Sequence, residues 1–239
     1  MTWSIVAHDP PSGAFAVVVA TRSFAVGASC PYVRSGVGAV STQSLTNRYL
    51  GPAVLDLMQQ GGPPQEAIER ALAPDEGRHL RQLHAVDAQG RTAAWTGRHC
   101  VTWCGERVAS HISVAGNMLA GADVVSATFD TFQALSDLPL PERLMAAMEA
   151  GESAGGDRRG RQSAAMLLTT TEDFPDLNLR VDDHGDPLSE LRRLLELWRG
   201  SWPARTVWSP TKSNPSGMTD LDTIERQWQA QGLDLRLRR

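Results

Sequence analysis

The sequence predicts an α+β fold: a four-layer αββα sandwich in which two antiparallel sheets pack face to face and helix pairs cover their outer faces. Three observations carry this expectation. Short apolar runs joined by tight turn chemistry read as hairpins, and hairpins build antiparallel sheets. Pairs of helices fall between the hairpins, whereas a doubly wound parallel sheet would need single helices between single strands. The run Ala14 to Thr21, with Phe15, Val17, Val18 and Val19, has no polar side and suits a strand buried on both faces.

In chain order, the first eight residues read as a strand, and Asp9-Pro10-Pro11-Ser12-Gly13 turns it back into the run at Ala14 to form a hairpin. Thr21 to Gly27 leaves that strand, and Gly36 to Ser41 gives another short one with close backbone approach at its glycines. Pro52 to Gln60 is a helix stopped by Gly61-Gly62, and Pro63-Pro64 opens a second through Ile68 and Leu72, with proline in the first turn where its missing donor costs least. Gln82 to Val86, the turn Asp87 to Gly90, and Arg91 to Gly97 form a second hairpin. A further strand is expected at 109–115. A helix from about Gly121 to Leu135 carries Val125, Phe129 and Phe132 at helical spacing, and Pro141 to Ala150 is its partner. Ser163 to Thr170 is a strand, Leu188 to Trp198 a helix, and Asp222 to Gln229 a short helix in a tail rich in Ser, Pro and charge. The expected organisation is one domain over residues 1–199 and a partly disordered appendage over 200–239.

Composition narrows the function. With 23 Lys and Arg against 27 Asp and Glu, the net charge of −4 leaves no basic face for nucleic acid and no polybasic run for anionic lipid. The start has no basic-then-apolar signal pattern, and no apolar run approaches the roughly 20 residues of a membrane-spanning helix. Three cysteines, Cys30, Cys100 and Cys104, do not make a disulfide framework at this length. The expectation is a reduced, cytoplasmic protein that acts on a small molecule, with no nucleic acid or membrane partner, no cofactor and no metal. Its helix pairs offer surfaces for a homo-oligomer.

The main chemical signal is Thr2. Once Met1 is removed, this residue carries both a hydroxyl nucleophile and an α-amine, and such amines titrate near about 7.7–8.0. The amine can therefore take the hydroxyl proton at neutral pH, a recognised way to activate a weak alcohol. An ordinary edge-strand start is the alternative. Gly116-Asn117, at a strand end, could offer a backbone N–H and an amide to an oxyanion, or be a tight turn. The loop Gly155 to Gln162 supplies Arg158, Arg159 and Arg161, whose guanidinium forks suit a carboxylate, and Asp157, which could accept from the Thr2 ammonium or a substrate amine. A solvated charged loop is its plainer reading, and no Gly-Lys-Ser/Thr follows the glycines as a phosphate loop requires. Ser23 and Arg22 neighbour Thr2 if the first two strands pair. Asp182-Asp183-His184 could orient the site, bind a metal or cap the next helix, with Asp186 before Pro187 as the natural N-cap. His99-Cys100-x-x-x-Cys104 raises zinc but lacks paired spacing and a clear fourth ligand, so thiols near a hairpin is the simpler account. Trp95 and Trp103 read as packing, and His79 and His84 carry no pattern.

Six stretches occur together in order: Thr2-Trp3-Ser4-Ile5-Val6-Ala7, Val40-Ser41-Thr42-Gln43, Arg81-Gln82-Leu83, Gly116-Asn117-Met118-Leu119-Ala120-Gly121, the Gly155 to Ser163 loop, and Leu179-Arg180-Val181-Asp182-Asp183-His184. Over about residues 2–198 this pattern resembles domain-of-unknown-function family 1028, a bacterial and archaeal family placed in the Ntn-hydrolase superfamily. The resemblance implies the αββα sandwich reached above, with an active site at the end of the first strand. It implies no substrate. The combined expectation is an N-terminal-nucleophile amidohydrolase in which Thr2, Gly116 and Asn117 are catalytic and Ser23, Gln43, Asp157, Arg158, Arg161 and His184 bind the substrate. Its rivals are a non-catalytic ligand-binding module on the same scaffold and a metal-dependent hydrolase built on Asp182, Asp183 and His184.

Overall fold

The computed structural model describes residues 2–232, with the side chains of 201–206 set aside. Strands β1 (Thr2–Asp9) and β2 (Ala14–Thr21) form the first hairpin, in register from Thr2 opposite Thr21 to Asp9 opposite Ala14. Its turn closes with the Gly13 N–H donating to the Asp9 carbonyl at 2.8 Å, and Gly13 takes φ 69°, a left-handed angle that glycine adopts without steric cost. Then follow β3 (Pro31–Arg34), β4 (Gly38–Ser44), α1 (Leu50–Gln59), α2 (Pro64–Leu72), β5 (Arg81–Asp87) and β6 (Thr92–Thr96). The hairpin β7 (Gly105–Ala109) and β8 (Ile112–Asn117) leads to α3 (Ala122–Ala134), α4 (Leu140–Ser153), β9 (Ser163–Thr169), β10 (Leu177–Val181), α5 (Pro187–Thr206) and α6 (Leu221–Ala230).

The strands form a six-stranded sheet in the order β10-β9-β2-β1-β8-β7 and a four-stranded sheet in the order β3-β4-β5-β6, both antiparallel. The two-residue period of a strand assigns each side chain to a layer. On β1, Ser4 and Val6 face the second sheet, where Ser4 meets Ser41 and Val6 packs with Ala39 and Val86. Trp3 and Ile5 face the other way, towards α3 and α4, and the Trp3 indole lies against Gly151 of α4. On the second sheet, Val40, Leu83, Ala85 and Ala93 face outward and meet Leu50, Val54, Leu55, Ile68 and Leu72 of α1 and α2. Burying an aliphatic side chain of this kind contributes about 1.5–3 kcal/mol, so the seam holds both helices to the sheet. The four layers are therefore α3/α4, six strands, four strands, α1/α2, as the element order predicts.

Three strands exceed the sequence expectation: β3, β7 and β10. Each lies at the edge of its sheet. Edge strands lack the two-sided burial that gives an apolar run, and β7 alternates half-buried and exposed positions through Glu106 and Val108. Proline opens β3, a place where a strand tolerates its missing donor. The strand expected at 109–115 is β8, displaced towards the C-terminus because the β7–β8 turn occupies Ser110 and His111.

The chain divides into two compact units, Met1–Arg192 and Arg193–Arg239, with the boundary inside α5. In the first unit, Asp186 caps the start of α5 by accepting from the Ser189 backbone N–H (3.3 Å) and hydroxyl (2.8 Å). In the second, Asp220 caps α6 by accepting from the Asp222 N–H at 3.1 Å, and the Trp208 and Trp228 rings lie 4.2 Å apart. The expectation of disorder in the tail falls partly on 233–239, which lie outside the described residues, as does Met1. Among the described residues, no helix is long and apolar enough to cross a membrane.

Candidate active site

Thr2 begins the strand that occupies the middle of the larger sheet, between β2 and β8, opposite Thr21 on one side and Asn117 on the other. Because Ser4 faces the second sheet, the period places Thr2 on that same face, at the end of the inter-sheet layer. The residue is 7% exposed. Its hydroxyl hydrogen-bonds that of Thr21 at 3.2 Å, and its carbonyl accepts a long 3.4 Å bond from Asn117 Nδ2.

Behind Thr2 runs a buried polar array. Asn117 Nδ2 donates to Gln82 Oε1 at 2.9 Å, and Gln43 Nε2 donates to the same oxygen at 2.8 Å and to the Ala115 carbonyl at 3.1 Å. Turning the Gln43 amide over would set its oxygen against two acceptors, so the network fixes its orientation. Gln43 Oε1 in turn accepts from the Ser4 hydroxyl at 2.7 Å. Ser4 Oγ also meets His84 Nε2 at 2.7 Å, and His84 Nδ1 meets the Ser113 hydroxyl at 3.0 Å. Burial pushes the His84 pKa down to about 3, so the imidazole is neutral at physiological pH. Gln82 Nε2 donates to the Gly116 carbonyl at 2.8 Å and to Thr96 Oγ1 at 2.9 Å. Ser4, Ser41, Gln43, Gln82, His84, Ser113 and Asn117 are each no more than 1% exposed.

The strands flanking β1 end opposite Thr2, and the Gly155 to Gln162 loop meets the chain just beyond each of them. The Arg22 N–H, just beyond Thr21, donates to Asp157 Oδ2 at 2.8 Å. Leu119, just beyond Asn117, pairs with Asp157 as an isolated bridge, and the Ala120 N–H donates to the Gly156 carbonyl at 3.1 Å. Asp157, with a side chain 1% exposed, also accepts from the Arg159 backbone N–H at 2.8 Å and its guanidinium at 3.2 Å. A buried carboxylate thus spans the open end of β1. Two non-glycine residues at this end take left-handed angles, Ser44 (φ 71°) directly after Gln43 and Met118 (φ 53°) directly after Asn117. Such conformations cost on the order of 1 kcal/mol and persist where surrounding structure holds them. Met118 and Leu119 are held in this way, their N–H groups donating to Val101 and Trp103 at 2.8 and 2.9 Å.

The structure brings Thr2, Asn117 and Asp157 together at one sheet end and sets the other sequence candidates around or behind them. Gly116 packs where a side chain cannot fit: a Cβ there would sit 2.5 Å from Leu119 Cδ1 and 2.9 Å from Trp3 Cβ. Gln43 is wholly buried, both ends of its amide engaged within the protein. Ser23 is exposed, and its carbonyl accepts from the Ser163 hydroxyl at 2.6 Å. Arg158 is exposed on the loop. Arg161 pairs with Glu152 and, at 3.6 Å, with Asp186. His184 is exposed beside the same loop: its N–H donates to the Gln162 carbonyl at 2.8 Å, and its Nδ1 accepts the Asp186 N–H at 3.0 Å. Asp182 pairs with Arg180 at 2.9 Å and Asp183 accepts from Gln162 at 3.1 Å. Among the described residues, no three His, Cys, Asp or Glu side chains are grouped as a metal site needs.

The cysteines are free thiols. Burial pushes Cys30 up to about 11 and raises Cys104 above its ordinary value, so neither supplies a thiolate nucleophile. Cys100 donates to the Arg81 carbonyl at 3.3 Å, and the His99 ring meets that of His79 edge-on at 4.9 Å. Sequence reasoning passed over Ser4, Ser41, Gln82, His84 and Ser113 as site residues. Their signal was polarity at inward positions of otherwise apolar strands, as in Gln82-Leu83-His84-Ala85-Val86.

Fold and site define a four-layer αββα protein whose inter-sheet layer turns polar where its central strand begins with threonine. The chain belongs to the family of unknown function DUF1028, whose model matches residues 2–191. It is similar to protein SPO2555 of Silicibacter pomeroyi, of that family, at 33% identity over 92% of this chain and 96% of that one, with a TM-score of 0.85. Anbu (ancestral beta-subunit) of Yersinia bercovieri aligns at 10% identity over 85% of this chain and 97% of that one, TM-score 0.39. An Anbu (Gly-1) mutant of Hyphomicrobium sp. strain MC1 aligns at 12% over 86% and 97%, TM-score 0.40. Likenesses that distant carry no inference here. No curated protein matches the sequence.

Proposed function

We propose that this chain is an Ntn-hydrolase, an amidohydrolase in which Thr2, made N-terminal by removal of Met1, cleaves a C–N amide bond of a small anionic substrate. One observation carries the reading. A threonine hydroxyl begins the central strand on the inter-sheet face, and among the described residues no lysine, arginine or histidine side chain is hydrogen-bonded to it. The base within reach is then the amine of the same residue.

In this reading the α-amine takes the proton of Thr2 Oγ1 as the oxygen attacks the amide carbonyl. Asp157, buried beside the end of β1, takes the resulting ammonium in a charge-assisted hydrogen bond. Asn117 Nδ2 is the oxyanion donor, its N–H shared between the Thr2 carbonyl, at 3.4 Å, and the developing negative charge. The tetrahedral intermediate collapses, the C–N bond breaks, and the ammonium returns its proton to the leaving amine. Water then attacks the Thr2 ester by the same route in reverse. Arg158 on the loop receives the substrate's acidic group, assisted by Arg161 where the substrate displaces Glu152 or Asp186, and Ser23 and His184 lie along the same rim. The free thiols agree with a reduced, cytoplasmic setting. The reading needs no cofactor, nucleic acid or membrane partner, and it leaves the helical faces open to a homo-oligomer.

The test is release of amine from a panel of N-acyl amino acids and carboxylate-bearing anilides. Wild type turning over at least one of them, Thr2→Ala none and Thr2→Ser at a reduced rate is the expected result. Equal turnover by wild type and Thr2→Ala overturns the reading. A non-catalytic binding module is the second reading, favoured by the engagement of Asn117 Nδ2 with two protein acceptors; it predicts affinity without turnover.

A further inference from the structure

We infer that His84, acting through Ser4, Gln43 and Gln82, is a positioning residue for the Thr2 site: the array holds the Asn117 amide against the Thr2 carbonyl and so holds the backbone from which the Thr2 hydroxyl projects. The inference rests on the proposed role of Thr2.

Four features of the array support it. It is continuous, each link between Ser113 and Thr2 being an identified hydrogen bond. Its amide end has one donor sense: the Gln43 amide can stand only one way and Ser4 is thereby a donor to it, while the two ring nitrogens of His84 bridge Ser4 and Ser113. It is expensive, since each buried polar group left unmatched is destabilising, whereas Val6, Val17, Ala39 and Val86 fill the same layer elsewhere with apolar atoms. Finally, it is directed, because it ends on the residue proposed as nucleophile, beside the strained Met118 and Ser44. Filling space accounts for none of these.

His84 touches neither Thr2 nor the space where a substrate would lie, so it acts only through the chain of amides. Losing it frees Ser4 to rotate, unpins the Gln43 oxygen, and lets Gln82 and Asn117 move in turn. Misplacing a nucleophile by a fraction of an ångström is enough to slow an otherwise intact site.

The experiment compares full-length wild type, His84→Leu, Ser113→Ala and His84→Gln by two readouts. One is NMR of the Asn117 side-chain amide and the Thr2 methyl group. The other is acylation of Thr2 by a β-lactone, followed by intact mass and separated into the maximal rate and the half-saturating concentration. His84→Leu is expected to shift both NMR signals, speed exchange of the Asn117 amide protons and lower the maximal acylation rate by about tenfold, with the half-saturating concentration unchanged. Ser113→Ala, which removes only the partner of Nδ1 and is milder if His84→Leu does not fold, moves the same signals less. His84→Gln, whose amide nitrogen reaches the place of Nε2, restores them. Unmoved Asn117 and Thr2 signals in a folded His84→Leu or Ser113→Ala protein overturn the inference. If wild type is never acylated, the nucleophile reading fails by itself, and the NMR signals still decide whether His84 positions this end of the sheet.

Discussion

At one end of the inter-sheet layer, Val6, Phe15, Val17, Ala39 and Val86 meet as a dry apolar cluster; at the other, Ser4, Ser41, Gln43, Gln82, His84, Ser113 and Asn117 fill the same gap with hydrogen bonds. The same strands build both ends. On β1 the change falls between Ser4 and Val6, on β4 between Ala39 and Ser41, and on β5 between His84 and Val86. Burial is no different, since no side chain in either group is more than 2% exposed. The apolar end gains from every atom removed from water and tolerates small changes of angle. The polar end gains little net energy per bond but dictates direction. Stability is vested in one end and geometry in the other, and Thr2 stands at the second.

Variants at the two ends separate these roles. Phe15→Ala leaves a hole in the apolar cluster and removes the ring that stacks on His8 at 4.6 Å; a loss of about 3–5 kcal/mol in urea unfolding is expected, with Thr2 reactivity kept in the folded fraction. Gln43→Leu keeps the volume but takes an acceptor from the Ser4 hydroxyl and a donor from the Ala115 carbonyl. It should cost about 2–4 kcal/mol and abolish Thr2 reactivity even where folded, a combination Phe15→Ala does not give. Equal effects of these two variants on reactivity would break the comparison.

Acid sharpens it. His84 binds its proton near 6.5 when unfolded and only near 3 when folded, so falling pH protonates the unfolded chain first. Its contribution is complete above about pH 6.5 and is lost as pH falls towards 3, by up to about 1.4 kcal/mol per unit. Stability curves for wild type and His84→Gln should converge over that window; a constant gap between them would contradict a neutral buried imidazole. The smallest effect belongs to the rim of the array. Thr96 is half-buried and accepts from Gln82 while paired with Glu106, so water can replace it, and Thr96→Val should change the thermal midpoint by no more than about 1 kcal/mol equivalent.

The difference between the two ends also explains what could be read in advance. Period, turn chemistry and paired helices were enough for β1, β2, β4, β5, the four covering helices and their layering. Edge strands β3, β7 and β10 escaped because their polar faces imitate loops. Thr2, Asn117 and Asp157 were legible as chemistry-bearing residues at the ends of segments. His84 was not, since its meaning depends on Ser4 and Ser113, which are 80 and 29 residues away in the chain and become neighbours only when the sheets stack. Gln43 was chosen, but as a substrate contact; burial gives it a different setting, with both ends of its amide bound within the protein.

The account depends above all on Thr2 being a free, reactive N-terminus, and one mass measurement addresses that directly. Purified protein is weighed intact under denaturing conditions before and after exposure to a β-lactone, with Thr2→Ala alongside, and the adduct is located by peptide mapping. The account predicts a chain lacking Met1 that gains one acyl group on Thr2, and no adduct in the variant. Retention of Met1, or an adduct that forms equally in Thr2→Ala, would contradict it.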